Sequence, residues 1–333
     1  MPSPQKNIVF ITEWKNNTGA GHLSRCLSLR DAFHERGYET SFIIDSEKEF
    51  EFKSSEIKPV ILDCKSNPED IKSFISDSSI LVIDSYLAAK EQLKYLANIT
   101  DYPVFISDVK LNYFPKGIVI IGNSFAHELD IINSKEVNYL LGIKYALLRK
   151  EFWDIEKKEI SPGITKILIS LGNTDPKDLK IKIAEILARG YPHSEITVLS
   201  NRDFRIYPKR KNLTILSRRL SAKEMANLFL QHDLVISNGG QTLIECIRVG
   251  VPTIAVKMAD NQVRNIKTLA EKELTFKILD TANINSLRDQ VLDYLNILKD
   301  HNKRLKINIS SKQFIDGQGA RRASKEILDY YGS

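Results

Sequence analysis

The chain has 333 residues, of which 42% are hydrophobic and 27% charged, and its formal net charge is +6. This composition is ordinary for a globular protein, and the length predicts about two domains, each with its own core. The modest positive charge favours acidic ligands, and without an aromatic-rich basic motif we expect no nucleic-acid partner. The three cysteines, at positions 26, 64 and 246, are too widely spaced for a disulfide framework or a zinc site.

The hydropathy pattern argues against export and against membrane insertion. The first apolar run is too short for a signal peptide, and Glu13 and Lys15 soon follow it. No stretch approaches the roughly 18 apolar residues of a membrane span. We therefore expect a cytoplasmic protein with no transmembrane segment, and peripheral contact with a membrane surface stays open.

Short apolar runs alternate with helix-like patterns, which predicts βαβ units and parallel sheets. In the first half the predicted strands are 7–12, 39–45, 59–63, 80–84, 103–107 and 117–122, with helices at 22–36, 68–77 and 88–99. In the second half the predicted strands are 166–171, 195–199, 212–216, 233–237, 252–257 and 274–279, with helices at 178–189, 222–231, 240–249 and 261–272. The tail, 283–330, predicts two or three more helices.

The alternation pauses between residues 140 and 163, where a charged stretch ends in the turn cluster Ser161-Pro162-Gly163. We therefore predict one domain at 1–150, a second at 164–310 and a C-terminal helix at 311–333. Both domains begin with a strand, a glycine-bearing loop and a helix. The predicted fold is α/β, with two Rossmann-like domains facing each other across a cleft at the carboxyl ends of their strands.

A glycine-rich loop, Thr18-Gly19-Ala20-Gly21-His22, follows the first predicted strand and leads into a helix. Gly19 and Gly21 allow a ligand to approach the backbone closely, because glycine has no Cβ. The helix start behind them presents N–H groups to an anion. We expect His22 to face the cleft, where an imidazole can take a proton from an attacking water. The alternative is a histidine bonded to the backbone at a helix start.

The strongest site signal in the second half is the loop Asn238-Gly239-Gly240-Gln241-Thr242. The N–H groups of Gly240 and Gln241, with the Thr242 hydroxyl, are predicted to hold a diphosphate. Glu245 shares a helix face with Gln241 and lies about 6 Å further along the helix, which suits a ribose diol. The alternative is an ordinary strand-to-helix turn with a surface glutamate.

Three further segments follow predicted strands, and each has two interpretations. The loop 171–176 is predicted to close over the phosphates or the sugar, or to start a helix with Asp175 as N-cap and Pro176 as first residue. The pair Asn261-Gln262 is predicted to bond sugar hydroxyls or to cap a helix. The pair Asp84 and Tyr86 is predicted to point at the cleft or to cap the next turn.

Taken in this order, the segments resemble the UDP-sugar hydrolases of the pseudaminic acid pathway and the related spore-coat polysaccharide proteins. A more distant resemblance links them to the glycosyltransferase of lipid II synthesis. The resemblance also includes Arg25-Cys26, Gly142–Phe152 and Asp316–Arg321, and it covers nearly the whole chain. It implies a GT-B architecture and the removal of UDP from a 2,4-diacetamido-2,4,6-trideoxy sugar, with no metal and no other cofactor.

The same resemblance implies roles for individual residues. His22 matches the catalytic histidine, Asn261 a functional asparagine and Tyr86 a tyrosine near the sugar. The predicted substrate-binding residues are Gly19, Gly21, Arg25, Asp84, Gly172, Asn173, Thr174, Asn238, Gly239, Gly240, Gln241, Thr242, Glu245 and Gln262. Two of these depart from the family pattern, since Asn173 replaces a frequent glycine and Gln241 a common serine.

We therefore expect hydrolysis of a UDP-activated deoxy-diacetamido sugar, releasing UDP and free sugar, in nonulosonic acid or surface polysaccharide biosynthesis. The first alternative is a GT-B glycosyltransferase with a UDP-sugar donor, in which the basic series between Arg202 and Arg219 holds an anionic acceptor or a membrane surface. A solvated basic loop also explains that series. The second alternative is a nucleotide-sugar-binding partner without turnover.

Overall fold

The computed structural model describes most of the chain in two compact units. The described residues are 7–14, 21–46, 58–64, 68–76, 79–85, 90–107, 114–129, 131, 134–156, 158–172, 175, 178–200 and 210–332. Unit 1 comprises Met1–Lys150 and Gln318–Ser333, and unit 2 comprises Glu151–Gly317. The last helix of the chain therefore belongs to the same unit as the first strand.

Each unit is built on a sheet whose paired strands run parallel. The strands are β1 (Ile8–Trp14), β2 (Thr40–Ser46), β3 (Val60–Ile61), β4 (Ile80–Asp84), β5 (Tyr102–Ile106), β6 (Gly117–Ile121), β7 (Val137–Leu141), β8 (Lys166–Ser170), β9 (Glu195–Leu199), β10 (Leu213–Leu216), β11 (Leu234–Asn238), β12 (Thr253–Val256) and β13 (Phe276–Ile278). Their orders are β3-β2-β1-β4-β5-β6-β7 in unit 1 and β10-β9-β8-β11-β12-β13 in unit 2. The predicted α/β class with two Rossmann-like sheets is confirmed.

The helices in the described part of the chain are α1 (Gly21–His34), α2 (Lys90–Asn98), α3 (Leu179–Gly190), α4 (Ala222–Gln231), α5 (Gln241–Val249), α6 (Val263–Glu271), α7 (Ile284–Leu298), α8 (His301–Phe314) and α9 (Gly319–Tyr331). The predicted tail therefore forms three helices, α7 to α9. One predicted helix is shorter and of a different type than expected, and one strand was not predicted. The segment Pro68–Phe74 is a 3₁₀ helix, and strand β7 was not predicted because its sequence lacks a continuous apolar run.

The central strands are buried along their length, which explains their apolar runs. Strands β4 and β6 are buried at every position, as expected when helices cover both faces of a parallel sheet. The core of unit 1 includes Val9, Leu81 and Phe105, and that of unit 2 includes Ile169, Ile236 and Ile254. The polar residues at the strand ends therefore follow rigid, fully packed segments.

The stretch Gly142–Phe152, which carried much of the resemblance, has structural contacts in unit 1. The Tyr145 hydroxyl donates to Glu326 Oε1 of α9 at 3.1 Å, and the Ser28 hydroxyl of α1 donates to the Leu148 carbonyl. These two hydrogen bonds therefore connect the segment that follows β7 to the last helix, α9, and to the first helix, α1, of unit 1.

None of the helices among the described residues has the length and apolar character that crossing a bilayer requires. In the same part of the chain, no group of three or more His, Cys, Asp or Glu side chains is arranged to hold a metal ion.

In each sheet the strand order reverses at one point, between β1 and β4 in unit 1 and between β8 and β11 in unit 2. Open parallel sheets bind ligands in the crevice at the carboxyl ends of the strands beside such a reversal. Among the described residues, His22, Arg25 and Asp84 lie at the first of these points, and Gly172 and the loop that begins at Asn238 lie at the second.

Candidate active site

The reversal point of unit 1 brings together a histidine, an arginine and an aspartate. His22 is the second residue of α1, the helix that follows β1, and Asp84 is the last residue of β4. Strands β1 and β4 are paired, with Thr12 opposite Asp84. His22 and Asp84 are 2% and 0% exposed, so both are withheld from bulk water.

The Asp84 carboxylate binds both of its neighbours. Its Oδ1 lies 2.6 Å from His22 Nδ1 and accepts from Arg25 Nη2 at 2.7 Å. Its Oδ2 accepts from Arg25 Nε at 2.8 Å. The bidentate guanidinium contact fixes the plane of the carboxylate. Arg25 and Asp84, predicted as substrate contacts, are therefore engaged with each other and with His22.

The charges of this cluster determine which imidazole nitrogen carries the proton. Burial by itself raises the pKa of the Asp84 carboxyl, but the Arg25 guanidinium and the His22 imidazole outweigh burial and hold that pKa below its usual value. Asp84 is therefore ionised at neutral pH and can only accept at its oxygens. His22 Nδ1 has two polar neighbours, Asp84 Oδ1 at 2.6 Å and Arg25 Nη2 at 3.0 Å. We assign the proton to Nδ1 because the contact with the ionised Asp84 is the shorter one, and this leaves Nε2 with the basic lone pair.

A second buried carboxylate, Glu13, lies on the other side of the imidazole. Its Oε1 is 3.7 Å from His22 Nε2, and its Oε2 accepts from the Ser85 hydroxyl at 2.6 Å. Glu13 is 0% exposed and follows the apolar run of β1. The sequence analysis did not select Glu13, although its position at the end of the first strand was a signal for it.

The nearby Cys26 thiol has a different character. Burial and the Asp84 carboxylate raise the pKa of Cys26 well above its usual value. The thiol is therefore protonated at neutral pH, and a thiolate nucleophile is not available there.

The reversal point of unit 2 carries the second glycine loop. Strand β11 ends at Asn238, Gly240 is the N-cap of α5, and α5 begins at Gln241. The Asn238 side chain spans the loop, since its Oδ1 accepts from the Gly240 N–H at 3.2 Å and its Nδ2 donates to the Leu171 carbonyl at 3.2 Å. The Gly240 N–H, predicted to bind a diphosphate, is thus bonded to Asn238 in this structure.

Two positions near Asn238 require glycine, because neighbouring atoms leave no space for a Cβ. Gly172 has φ +82°, and a Cβ there would lie 2.7 Å from Asn238 Nδ2. At Gly239 a Cβ would lie 2.5 Å from Ile266 Cγ1. At Gly240, in contrast, the nearest atom to an added Cβ is Asn238 Oδ1 at 3.4 Å, an ordinary contact distance, so close packing does not require glycine at this position.

Gln262 and Asn265 contact the same loop from α6 and the 3₁₀ turn before it. Gln262 Oε1 accepts from the N–H groups of Gly239 and Met258, at 3.3 and 3.2 Å. Asn265 Nδ2 donates to the Gly239 carbonyl at 2.9 Å. The sequence analysis predicted Gln262 as a substrate contact and did not select Asn265.

The other predicted residues of unit 2 lie on neighbouring positions. Gln241 and Thr242 form the first turn of α5 and are half-buried. Glu245 lies four residues later on the face of Gln241 and is 1% exposed. Asn261 is exposed in the 3₁₀ turn Asp260–Gln262. Their roles toward a ligand stay predictions.

Only part of the loop after β8 belongs to the described residues, and Pro176, predicted as the first helical residue, lies outside them. The N-cap of α3 is Asp178 rather than Asp175, and α3 begins at Leu179. Asp175 still caps this helix, because its two carboxylate oxygens accept from the N–H groups of Leu179 and Lys180 at 2.8 and 2.9 Å. These N–H groups are therefore satisfied by the protein's own carboxylate.

The predicted site residues thus form two groups. His22 and Arg25 lie beside Asp84 in unit 1, with Gly21 at the start of the same helix. In unit 2, Asn238 bonds the Gly240 N–H and lies next to Gly172, and Gln262 bonds the Gly239 N–H. Four predicted residues, Gly19, Tyr86, Asn173 and Thr174, lie outside the described residues.

Residues 208–320 match the family model described as the glycosyltransferase family 28 C-terminal domain. Three curated proteins are similar in sequence. The chain is 24% identical over 75% of its length to an uncharacterized protein of Methanocaldococcus jannaschii. It is 23% identical over 94% of its length to the spore coat polysaccharide biosynthesis protein SpsG of Bacillus subtilis, of which it covers 95%.

The third relative is the Helicobacter pylori pseudaminic acid cytidylyltransferase and UDP-2,4-diacetamido-2,4,6-trideoxy-beta-L-altropyranose hydrolase, 24% identical over 94% of this chain. The chain spans about half the length of the archaeal and Helicobacter relatives, 55% and 54% respectively.

Solved structures share the fold over nearly the whole chain. The glycosyltransferase of kitacinnamycin matches with a TM-score of 0.67 at 14% identity, covering 98% of this chain and 99% of that protein. MnaA of S. aureus, solved with UDP, matches with a TM-score of 0.68 at 11% identity, covering 98% and 97%. The chain therefore has a GT-B-like fold.

Proposed function

We propose that this chain hydrolyses a nucleoside-diphosphate sugar, most specifically a UDP-activated 2,4-diacetamido-2,4,6-trideoxy sugar, and releases UDP and the free sugar. The observation that carries the proposal is the 2.6 Å contact between His22 Nδ1 and the buried, ionised Asp84. This contact orients the imidazole and leaves Nε2 as a base. The name of the Helicobacter relative includes this hydrolase activity, which supports the choice of substrate class.

In the proposed reaction, a water molecule attacks at the sugar–phosphate linkage. Nε2 of His22 takes a proton from the water, the hydroxyl joins the sugar, and UDP leaves with the electrons of the broken bond. A base placed in this way contributes about 100- to 10,000-fold to a rate. Asp84 then stabilises the imidazolium through Nδ1, as the carboxylate of a catalytic triad does.

Glu13 supports the same step from the opposite side. Its Oε1 lies 3.7 Å from Nε2, too far for a good hydrogen bond but close enough for a strong charge interaction in a buried site. When Nε2 gains a proton, the negative Glu13 stabilises the positive ring. The cluster then contains two carboxylates, one guanidinium and one imidazolium, and is electrically neutral.

The leaving diphosphate is proposed to bind at the start of α5. A helix start carries unpaired N–H groups and a partial positive charge, and such donors stabilise charge as it develops on a leaving group. The match of residues 208–320 to a glycosyltransferase family supports this assignment. Glu245 is proposed to bind the ribose, and Asn261 and Tyr86 the sugar.

A glycosyltransferase is the second candidate, and the family match favours it. The model that residues 208–320 match is a glycosyltransferase domain. In that case an acceptor hydroxyl takes the place of water, and His22 deprotonates the acceptor. A binding protein without turnover is the third candidate, and the buried dyad of His22 and Asp84 argues against it.

One assay distinguishes the three. The purified chain is incubated with UDP-2,4-diacetamido-2,4,6-trideoxy-β-L-altropyranose, or with UDP-N-acetylglucosamine, and free UDP is measured without acceptor. The hydrolase proposal predicts steady UDP release that His22→Ala lowers at least 100-fold. Release only after acceptor is added supports the transferase. Binding of the UDP-sugar without release under either condition supports the binding protein.

A further inference from the structure

The backbone of Gly239 is held from two sides by side chains of one short segment. On one side, the Gly239 N–H donates to Gln262 Oε1 at 3.3 Å. On the other, the Gly239 carbonyl accepts from Asn265 Nδ2 at 2.9 Å. Gln262 immediately precedes α6 and Asn265 is its third residue, so residues three apart on one helical face contact the two polar groups of Gly239.

Gln262 also connects this loop to the neighbouring strand end. The same Oε1 accepts from the Met258 N–H at 3.2 Å, and Met258 lies just beyond β12. A carbonyl oxygen has two lone pairs and can accept two bonds. One side-chain oxygen therefore ties the loop after β11 to the loop after β12, at the edge where the candidate diphosphate loop lies.

The steric contacts of Gly239 point the same way. An added Cβ would lie 2.5 and 2.6 Å from the Ile266 side chain and 2.9 Å from Gln262 Cβ. Asn265 is buried and Ile266 is fully buried, so α6 fits against the loop with no space for a side chain. The polar contact from Asn265 and the apolar contact from Ile266 therefore both fix the backbone of Gly239.

We propose that Gln262 and Asn265 are positioning residues for nucleotide binding. They fix the backbone conformation of Gly239 and thereby orient the first N–H groups of α5 toward a diphosphate. This proposal rests on the proposed function, because it takes the start of α5 as the diphosphate site. It assigns Gln262 a role through the loop backbone, where the sequence predicted a direct substrate contact. A preformed loop loses less entropy when it binds a ligand.

The test uses two measurements on the full-length chain. Amide hydrogen exchange over the segment 236–243 reports the loop without any ligand, and calorimetry with UDP reports its binding. The variant Gln262→Met removes the acceptor of the Gly239 N–H at similar size, whereas Gln262→Glu keeps an oxygen there. Asn265→Asp removes the donor to the Gly239 carbonyl. Lys267→Gln, at an exposed position of α6, is the matched control.

We expect Gln262→Met and Asn265→Asp each to speed exchange in this segment and to raise the Kd for UDP about 5- to 10-fold, because each variant loses one hydrogen bond to Gly239. Gln262→Glu keeps the slow exchange of the unliganded loop, and Lys267→Gln changes neither quantity. Unchanged exchange in Gln262→Met overturns the positioning role. If the unmodified chain binds no UDP while exchange responds as expected, the proposed function fails and the effect on loop order stands.

Discussion

Replacing Asp84 by asparagine tests the proposed base most sharply. The change keeps the shape of the side chain but removes its charge and turns one acceptor into a donor. Asp84 now accepts from His22 Nδ1 at 2.6 Å and from Arg25 at 2.7 and 2.8 Å. If the asparagine NH₂ faces His22, Nδ1 must offer its lone pair, and the proton moves to Nε2. The base is then lost.

The expected loss of activity follows from this change of tautomer. General base catalysis supplies about 100- to 10,000-fold, so we expect kcat for UDP release to fall by that factor, or about 3 to 5 kcal/mol in activation free energy. Stability falls as well. Removing one partner of a buried ion pair costs about 3 to 5 kcal/mol of folding free energy. Because Arg25 is 15% exposed and keeps some contact with water, we expect the loss in Asp84→Asn to lie near the lower end of that range.

The assay is continuous measurement of UDP release, with urea denaturation on the same preparations. Asp31→Asn is the control, because it removes the carboxylate that binds Arg30 at 2.5 Å on the same helix without touching His22. We expect Asp31→Asn to lose some stability and to keep its release rate. An Asp84→Asn protein that is folded and releases UDP within a few-fold of the unmodified rate refutes the tautomer argument.

Four further variants test the glycine loop of unit 2, Glu13 and Asp233. Gly239→Ala should lose about 1 to 3 kcal/mol in urea denaturation through the clash with Ile266. Gly240→Ala should fold normally, because its methyl group meets only ordinary contact distances, and should bind UDP more weakly in calorimetry, because the methyl group lies beside the proposed diphosphate site. Glu13→Gln should lower the UDP release rate about tenfold, since it removes the charge 3.7 Å from Nε2. Burial raises the pKa of Asp233, but hydrogen bonds from Ser161, Thr165 and Lys166 outweigh burial and lower that pKa. Ionised Asp233 therefore stabilises the folded state above about pH 4. This stabilisation is lost as the pH falls through the pKa of the folded state. Asp233→Asn should therefore lower the urea midpoint more at pH 7 than at pH 3.

The sequence predicted the parts of the fold that depend on local pattern. Buried strands such as β4 and β11 are continuous apolar runs, and the stop of α5 follows from Gly250, which adopts φ +80° as its C-cap. Strand β7 was not predicted because Asn138 and Tyr139 interrupt its aliphatic run. This segment is recognised as a strand only by its pairing with β6. Residues 68–74 have proline and acids suited to a helix start, yet form a 3₁₀ helix, a distinction that local sequence does not encode.

The candidate site was predictable where one loop carries it and not where distant segments meet. His22 stands out because glycines precede it in the chain. Its bond to Asp84, 62 residues away, requires the pairing of β1 with β4, which the sequence does not reveal by itself. Glu13 and Asn265 were not selected for a similar reason. The contact of Glu13 with His22 and that of Asn265 with Gly239 are made only in the tertiary structure. That both reversal points serve one substrate remains a prediction.

The most direct test of the central claim compares catalysis and binding in His22→Ala. UDP release from the diacetamido UDP-sugar is followed in a single turnover without acceptor, and the Kd for UDP is measured in parallel. We expect a release rate at least 100-fold below that of the unmodified chain, with a Kd for UDP within about twofold. Release at the unmodified rate from a folded His22→Ala protein would contradict it.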